Sequence, residues 1–542
     1  MLRVSNLRKG YGDRAVIDGA SFAIGPGDKV GLVGPNGSGK TTLLKILAGQ
    51  LEPEAGSVNY AGNPSVAYLP QHPPVTAQET VGEFLAPEFY RCCLRMKAIE
   101  QTMQDRHWDT SLIAEYSSAV DRFEAAGGYV LESRLEAVLA GLSMHDIDLG
   151  RRALSLSGGQ MTRAALARVL LKDADVLLLD EPTNNLDRAA LDWLEESLLR
   201  SNAMYLIVSH DRRFLDRVTK RTLELDPITA RITDYSGNYS WYRLRKSQEL
   251  AQQMRAYKEQ QDRIKRWTDD IRAVKNQAQA TENSTVNDYL RGRSKKVAAK
   301  AKAREKRLNR LLESEKVEKP RHVERMRFTV EGRYQYTSML IGLENVSCEI
   351  AGMQLFSGLN LDVRGSTRIV LAGDNGTGKS TLLKIIVGER APTSGSIFKK
   401  ADLRLCYFPQ QQEALPEDDT VLDFFSRSVP DRRWPSESDL RTFLHRFQFT
   451  RDDVFKKIGQ LSRGERTKLL FATFMVTNPD LLIMDEPTNH LDVPAIECLE
   501  EALSSFHGAF IIVSHDRHFV DAISPHVYWH LSDHSLSVEL LG

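Results

Sequence analysis

One glycine-rich cassette occurs twice in the 542 residues, and it limits the possible folds more than any other feature. Gly34-Pro35-Asn36-Gly37-Ser38-Gly39-Lys40-Thr41 returns 339 residues later as Gly373-Asp374-Asn375-Gly376-Thr377-Gly378-Lys379-Ser380. Each copy follows a short apolar run (residues 29–33 and 367–372) and opens a helix-like stretch (residues 40–47 and 379–387). A strand, a glycine-rich turn and a helix N-terminus together cradle phosphate. The glycines let backbone N–H groups approach the oxygens, and the helix end favours negative charge. Lys40 and Lys379 are placed to reach β- and γ-phosphates, and Thr41 and Ser380 to ligate Mg2+. Thr42 and Thr381 follow in the same turns. A spacing of 339 residues is too long for a solenoid repeat and indicates a duplicated domain.

The rest of each copy follows in the same order. Residues 176–187 (VLLLDEPTNNLD) match 481–492 (LLIMDEPTNHLD), and 206–214 (LIVSHDRRF) match 511–519 (IIVSHDRHF). Short apolar runs alternating with helical patterns imply an α/β fold with buried parallel strands. Asp180 and Asp485 end such runs and can hold Mg2+; the adjacent Glu181 and Glu486 are positioned to polarise an attacking water. A lone Asp-Glu pair is most often surface; behind a buried strand and a phosphate loop it reads as catalytic. His210 and His515 each follow Val-Ser and are candidates to contact the γ-phosphate. Gln71 and Gln410, each after Pro, are candidates to sense Mg2+ and the lytic water.

Charge is distributed unevenly. Lys plus Arg equal Asp plus Glu at 72 each, but residues 241–330 hold 25 basic against 12 acidic residues. A basic segment between acidic domains suits a polyanion, although a solvated charged helix has the same composition. From Trp241 to about residue 319 the segment reads as helical. Leu250, Met254, Tyr257, Ile264 and Ile271 fall at heptad-like spacing, and Val297, Ala301, Leu308 and Leu311 repeat the pattern after a polar break at 281–287. An antiparallel hairpin ending near Pro320 is expected, its first helix roughly 60 Å long at about 1.5 Å per residue. The first half is also longer: 85 residues separate Gln71 from Leu156, against 51 between Gln410 and Leu461. The surplus reads as a helical hairpin within about 85–130, with helices over 90–103 and 111–123. The expected boundaries are 1–238 for the first domain, 239–335 for the linker and 336–542 for the second domain.

The five cysteines (Cys92, Cys93, Cys348, Cys406, Cys498) have no metal-ligand spacing. Their odd number suits a reducing compartment. The N-terminus lacks the apolar core of a signal peptide, and no apolar run approaches the ~20 residues that span a bilayer. A cytoplasmic protein without membrane insertion is expected. With 27 residues after His515, no large C-terminal extension is expected.

Leu156-Ser157-Gly158-Gly159-Gln160 resembles the signature of ABC ATPases, and Leu461-Ser462-Arg463-Gly464-Glu465 resembles its variant. With the phosphate loops, glutamines, Asp-Glu strands and histidines, both halves resemble ABC nucleotide-binding domains over nearly their whole length. The tandem arrangement, the charged linker, Glu486-Pro-Thr-Asn-His-Leu-Asp492 and Tyr235-Ser-Gly-Asn-Tyr239 point to the ABC-F family. That resemblance implies a RecA-like core, an antiparallel β subdomain and a helical subdomain in each half, joined by a long helical hairpin.

It further implies a monomeric ATPase that binds the ribosome, its rRNA and tRNA included. The linker would lie near P-site tRNA and the insert near the E site. It also implies two composite ATP sites. Gly34, Asn36, Gly37, Gly39, Lys40, Thr41, Gln71, Asp180, Glu181 and His210 would face Ser462, Gly464 and Glu465. Gly373, Asn375, Gly376, Gly378, Lys379, Ser380, Gln410, Asp485, Glu486 and His515 would face Ser157, Gly158, Gly159 and Gln160. Asp187 and Asp492 would couple the two sites.

The copies depart from one another in places. Tyr11 is placed to stack on adenine, whereas Ile350 stands 339 residues on. Arg463 replaces a glycine, Glu465 a glutamine, and Asn185 stands where the second half has His490. A ribosome-protecting antibiotic-resistance factor of the same family remains open. So does the ATPase subunit of a transporter, which would need a membrane partner. A DNA-repair or structural-maintenance ATPase normally has far longer coiled coils or zinc cysteines.

Overall fold

The computed structural model describes residues 1–541 except 13, 72–75, 77, 106–109, 285–298, 301, 307–309, 311–337, 351, 375, 410–414, 430–435, 448, 451, 478, 490 and 533. Contacts divide the chain into two compact units. One comprises Met1–Tyr239 with Arg325–Gly542, the other Ser240–Glu324.

The larger unit contains the duplicated halves, each built on a six-stranded sheet. In the first half the strand order is Val66–Leu69, Val176–Asp180, Met204–Val208, Lys29–Val33, Arg221–Leu225, Ile232–Tyr235. All neighbours are parallel except the last pair. The second half repeats this as Leu405–Phe408, Leu481–Asp485, Ala509–Val513, Arg368–Ala372, Val527–Ser532, Ser535–Leu540. Val176–Asp180, Met204–Val208, Leu481–Asp485 and Ala509–Val513 are buried at every position. Strands covered on both faces have no reason to alternate apolar with polar, which is why they read as unbroken apolar runs.

This order positions the chemistry. Parallel strands place their C-terminal ends at one edge, where ligands of open α/β sheets bind. Lys29–Val33 feeds the phosphate loop, its neighbour Met204–Val208 feeds Ser209-His210, and the next strand ends in Asp180-Glu181. A three-stranded antiparallel sheet stands beside each core, with Leu2–Tyr11 between Arg14–Ile24 and Ala55–Tyr60, and Met339–Ile350 between Met353–Arg364 and Ser394–Lys399. Leu2, Leu7 and Ile24 from the first of these pack with Leu43, Leu44 and Leu178 in one core.

The extra residues of the first half form helices Pro87–Asp105 and Thr110–Ala125. Ile99 and Met103 on one pack with Ala119 on the other, joined by Met96, Leu112 and Tyr116. The Tyr116 hydroxyl donates to Glu100 at 2.8 Å across the pair, and Arg95 pairs with Glu115.

In the smaller unit the leading feature is one helix, Tyr239–Ser284, of 46 residues, about 70 Å at about 1.5 Å per residue. Leu250, Met254, Tyr257 and Ile264 are half-buried and Ile271 is buried, the stripe their spacing implied. The helix runs through Thr281 to Ser284, into the first residues of the polar break expected at 281–287, the rest of which lies outside the described residues. Thr, Asn and Ser are modest helix formers rather than breakers, and no Gly or Pro interrupts them. The end expected near Pro320, and most of the second helix, lie outside the described residues; residues 299–300, 302–306 and 310 are helical. Among the described residues no helix is long and apolar enough to cross a membrane.

Candidate functional site

The first phosphate loop closes around its own lysine. Lys40 opens the helix Lys40–Leu47 and is buried; its Nζ donates to the carbonyls of Gly34 at 2.7 Å and Pro35 at 3.0 Å. Lys379, opening Lys379–Val387, does the same with Gly373 at 2.6 Å and Asp374 at 2.8 Å. Burial lowers the pKa of both ammonium groups, while nearby carboxylates pull the other way. The residue before each lysine must be glycine. Gly39 has φ 104° and Gly378 φ 100°, and a Cβ on Gly39 would lie 2.3 Å from Val16 Cγ1.

The acidic pairs stand against these loops. The Thr41 hydroxyl donates to Asp180 Oδ2 at 2.7 Å, and Ser380 hydrogen-bonds Asp485. Burial raises the pKa of both aspartates. Burial also pushes the Glu181 carboxyl up to about 8, against the nearby Lys40 charge. Glu486 likewise rises to about 8, with Asp485 adding to the effect of burial. Both glutamates have left-handed backbones, φ 55° at Glu181 and φ 50° at Glu486. Such conformations are disfavoured outside glycine and gather at functional sites. His210 follows the adjacent strand: its N–H donates to Glu181 Oε2 at 3.3 Å, and its Nε2 lies 3.1 Å from Oε1. His515 Nε2 lies 3.3 Å from Glu486 Oε1. Burial and the Lys379 charge hold the His515 imidazole down at about 4, against Asp187.

These groups fit a magnesium nucleotide. Ser38 Oγ is buried without a hydrogen bond, which is rare for polar atoms, and the buried Oε1 atoms of Glu181 and Glu486 face the Nε2 atoms of His210 and His515. Each site also places one hydroxyl on one buried carboxylate. Mg2+ is ordinarily held by one or two such protein oxygens together with substrate phosphates, rather than by an all-protein cage. In keeping with that, no group of three or more His, Cys, Asp or Glu among the described residues could hold a metal ion.

The halves meet at these sites. The Asn36 N–H donates to Asp492 Oδ2 across the seam at 3.1 Å, so the loop after the second Asp-Glu strand touches the first phosphate loop. Asp492 also caps the helix Val493–Ser505 through the Ala495 N–H at 3.1 Å. Its counterpart Asp187 caps Arg188–Arg200 and acts electrostatically on Lys379 and His515. A cavity of about 830 Å³ is lined by Ser157, Gly158, Gly159 and Gln160 from one half and by Gly376, Glu486 and His515 from the other. Gln71, Asp180, Glu181, His210 and Asn185 open onto the same cavity.

Each signature caps its own helix. The Gln160 N–H donates to Ser157 Oγ at 3.3 Å, and Gln160 Oε1 accepts from the Ser157 N–H at 3.1 Å. In the second half, Glu465 Oε2 accepts from both the Ser462 N–H at 2.8 Å and the Ser462 hydroxyl at 2.6 Å. An acid completing a capping box at a helix N-terminus is favourable, which supplies a physical reason for glutamate there. Tyr11 sits at the hairpin end, 56% exposed. Asn375, Gln410 and His490 lie outside the described residues.

A second set of contacts across the seam is absent from the motif reading. Arg212 Nη1 lies 3.2 Å from Glu500 and 3.1 Å from His518 Nδ1, Arg517 lies 2.6 Å from Asp192, and Arg213 lies 3.1 Å from Asp521. The repeated His-Asp-Arg is the visible signal for them. The Asp and Arg carry the seam: Asp211 and Asp516 cap the helices Arg212–Val218 and Arg517–Ala522, and the arginines reach the opposite half.

Known proteins share this organisation. The ABC transporter family matches residues 17–184 and 356–489, and a second family of the same description matches 229–329. ABC transporter F family member 5 of Arabidopsis thaliana is 35% identical over 532 residues, 96% of this chain and 74% of that protein. The probable ATP-binding protein YheS of Escherichia coli strain K12 is 33% identical over 531 residues, 97% of this chain and 78% of that protein. Among solved structures, the archaeal ribosome recycling factor aABCE1, in complex with the ribosomal stalk protein aP1, superposes with a TM-score of 0.60. It is 20% identical, covering 97% of this chain and 87% of that one, so the likeness is one of fold. With two ATP-binding ABC domains and relatives matched over nearly its full length, the chain belongs to the ABC-F family of tandem ABC ATPases.

Proposed function

We propose that this chain is a cytoplasmic, monomeric ATP-hydrolysing translation factor. It binds the ribosome near the E site and acts on P-site tRNA and the peptidyl-transferase region through its linker. The observation that carries the reading is a 46-residue helix that joins the two ATPase halves in sequence, with residues of both halves lining one cavity. The first-half insert is the second candidate ribosome contact. A tandem ATPase of the same fold is named a ribosome recycling factor, so a ribosomal target is compatible with this architecture.

The proposed cycle uses the chain's own groups. Lys40 and Lys379 exchange loop carbonyls for β- and γ-phosphate oxygens as ATP enters. Backbone N–H groups at Gly34, Asn36, Gly37 and Gly39, and at Gly373–Gly378, cradle the phosphates. The opposite signature, Ser462–Glu465 or Ser157–Gln160, presents its helix N-terminus to the γ-phosphate and draws the seam shut. Glu181 and Glu486 accept a proton from the attacking water, while His210 and His515 hold the γ-phosphate and Gln71 and Gln410 orient the water. Thr41 with Asp180, and Ser380 with Asp485, would hold Mg2+, which when bound would neutralise charge at the phosphates. Loss of the γ-phosphate removes the shared ligand, and the halves separate.

Cosedimentation tests the reading. Glu181→Gln with Glu486→Gln should pellet with ribosomes when ATP is present and remain in the supernatant when it is not. Binding should weaken as salt rises, because the linker would displace counterions from RNA phosphates. No ATP-dependent pelleting sinks the proposal; recovery with a membrane partner would favour a transporter subunit.

A further inference from the structure

One tyrosine in each half takes no part in the proposed cycle. Tyr68 and Tyr407 stand 339 residues apart, the offset of the phosphate loops. Their hydroxyl oxygens are buried and have no hydrogen-bond partner among the described residues. Such an orphan costs stability, and phenylalanine would fill nearly the same space without one. Packing alone therefore does not account for tyrosine in both halves.

The sheet directs both rings to the side that carries the aspartates. Tyr68, on Val66–Leu69, pairs with Leu178, and Asp180 lies two residues further along that strand. Alternate residues of a strand share a face, so Tyr68, Leu178 and Asp180 stand on one side of the sheet. Leu43 and Leu44 of the phosphate-loop helix cover that side, in one core with Leu178 and the half-buried Tyr68. The second half repeats the arrangement: Tyr407 pairs with Ile483, two residues before Asp485, in one core with Leu382 and Leu383. Burial and the Asp180 charge raise the pKa of the Tyr68 hydroxyl; burial, Asp485 and Glu389 raise that of Tyr407. Both keep a proton to donate, and each lies within the field of its own aspartate.

We infer that Tyr68 and Tyr407 are positioning residues for the two Mg2+ sites, each donating through a bridging water to the aspartate of its own half, Asp180 or Asp485, in the loaded state. The inference rests on the ATPase reading above and deepens it. A carboxylate that holds a metal is itself held by outer hydrogen bonds, which fix its orientation. Thr41 bonds Asp180 and Ser380 bonds Asp485, but these two hydroxyls are the ones assigned to the ion. The tyrosine hydroxyls are donors not already engaged. Neither bonds a carboxylate directly, and a bridging water serves nearly as well as a direct bond.

Mn2+ binding to the full chain tests this, since Mn2+ takes the same carboxylate and water ligands as Mg2+. A non-hydrolysable ATP analogue is bound and free Mn2+ is read by electron paramagnetic resonance. Tyr68→Phe with Tyr407→Phe should weaken Mn2+ binding by about tenfold or more, the usual effect of losing an outer partner of a metal ligand. Binding of the analogue in EDTA should stay within about threefold of native, less than a lost direct hydrogen bond can cost. The melting temperature without nucleotide or metal should hold or rise, because an orphan hydroxyl is removed. Each single variant should show one weakened and one native Mn2+ site. Mn2+ binding within about threefold of native in the double variant overturns the inference while leaving the ATPase reading intact. An equal loss of analogue binding in EDTA, or a fall in melting temperature, does the same, since either marks a packing role. A native chain that binds neither the analogue nor Mn2+ overturns the ATPase reading and this inference with it.

Discussion

Glu500→Ala should loosen the seam between the halves far more than its surface position in a helix would imply. Arg212 and Glu500 are 8% and 12% exposed, from opposite halves, 3.2 Å apart. The guanidinium is already under-satisfied, since Arg212 Nε and Nη2 are buried without hydrogen bonds. Removing the carboxylate leaves a buried cation whose remaining side-chain hydrogen bond is to His518, with the Asp516 charge nearby. Breaking such a pair from one side costs about 3–5 kcal/mol, which is roughly 100-fold or more in an opening equilibrium at about 1.4 kcal/mol per factor of ten. Replacing both partners, Arg212→Met with Glu500→Met, removes the desolvated charges together and should return the seam to within about 1 kcal/mol of the native chain. Amide hydrogen exchange in the helices Arg212–Val218 and Arg517–Ala522 reads the effect directly. Helices of 7 and 6 residues depend on packing for their order. Protection should collapse in Glu500→Ala and recover in the double variant. Protection unchanged within about threefold in Glu500→Ala would mean that the pair is not buried in solution, and the reasoning fails.

Four further outcomes are expected. Glu181→Gln with Glu486→Gln should lower phosphate release by about 10²–10⁴-fold, the usual worth of a general base, while ATP still binds; retained turnover would remove both glutamates from the chemistry. Asp211 is pushed up from 3.8 to about 6 by burial and by Asp516 across the seam. A raised carboxyl pKa means the folded seam keeps a proton that the unfolded chain has lost. Its contribution is therefore full below about pH 4 and lost as pH rises through about 6. Asp211→Asn, which keeps the cap on Phe214, should flatten the thermal stability profile over that window, and a profile parallel to the native one contradicts the assignment. Ile99→Ala should destabilise the insert by about 2–5 kcal/mol, seen as early proteolysis of residues 87–125, with ATP hydrolysis off the ribosome unchanged. Glu465→Gln should alter thermal stability by less than about 1 kcal/mol, because glutamine completes the same capping box in the first half.

Local chemistry was the legible part of this chain. The phosphate loops, Asp-Glu pairs and histidines stand on elements whose pattern is written within about a dozen residues: an apolar run, a turn, a helix start. Lys40–Leu47 and Lys379–Val387 accordingly begin and end where their sequences imply. The heptad stripe of the linker's first helix is equally local, and burial follows it at Leu250, Met254, Tyr257, Ile264 and Ile271. What could not be read is what depends on distant partners. Arg212 and Glu500 are 288 residues apart, and nothing near either residue announces the other. The positive φ of Glu181 and Glu486 arises where a buried strand turns into the cleft, and a glutamate gives no sign of it, unlike a glycine. The role of Glu465 is local: Ser462 and Glu465 stand three residues apart, the spacing of a capping box, within the signature motif itself. The polar stretch at Thr281–Ser284 stays helical, since composition there weakens a helix without stopping it.

The central claim is that two mutually completed ATP sites drive a basic linker on the ribosome. Imaging the Glu181→Gln, Glu486→Gln chain bound with ATP to ribosomes by electron cryo-microscopy tests it most directly. The account predicts a closed pair of halves with ATP at both seams, the helices of residues 87–125 near the E site, and the linker beside P-site tRNA. Halves held apart with ATP bound, or a linker pointing away from RNA, would contradict it.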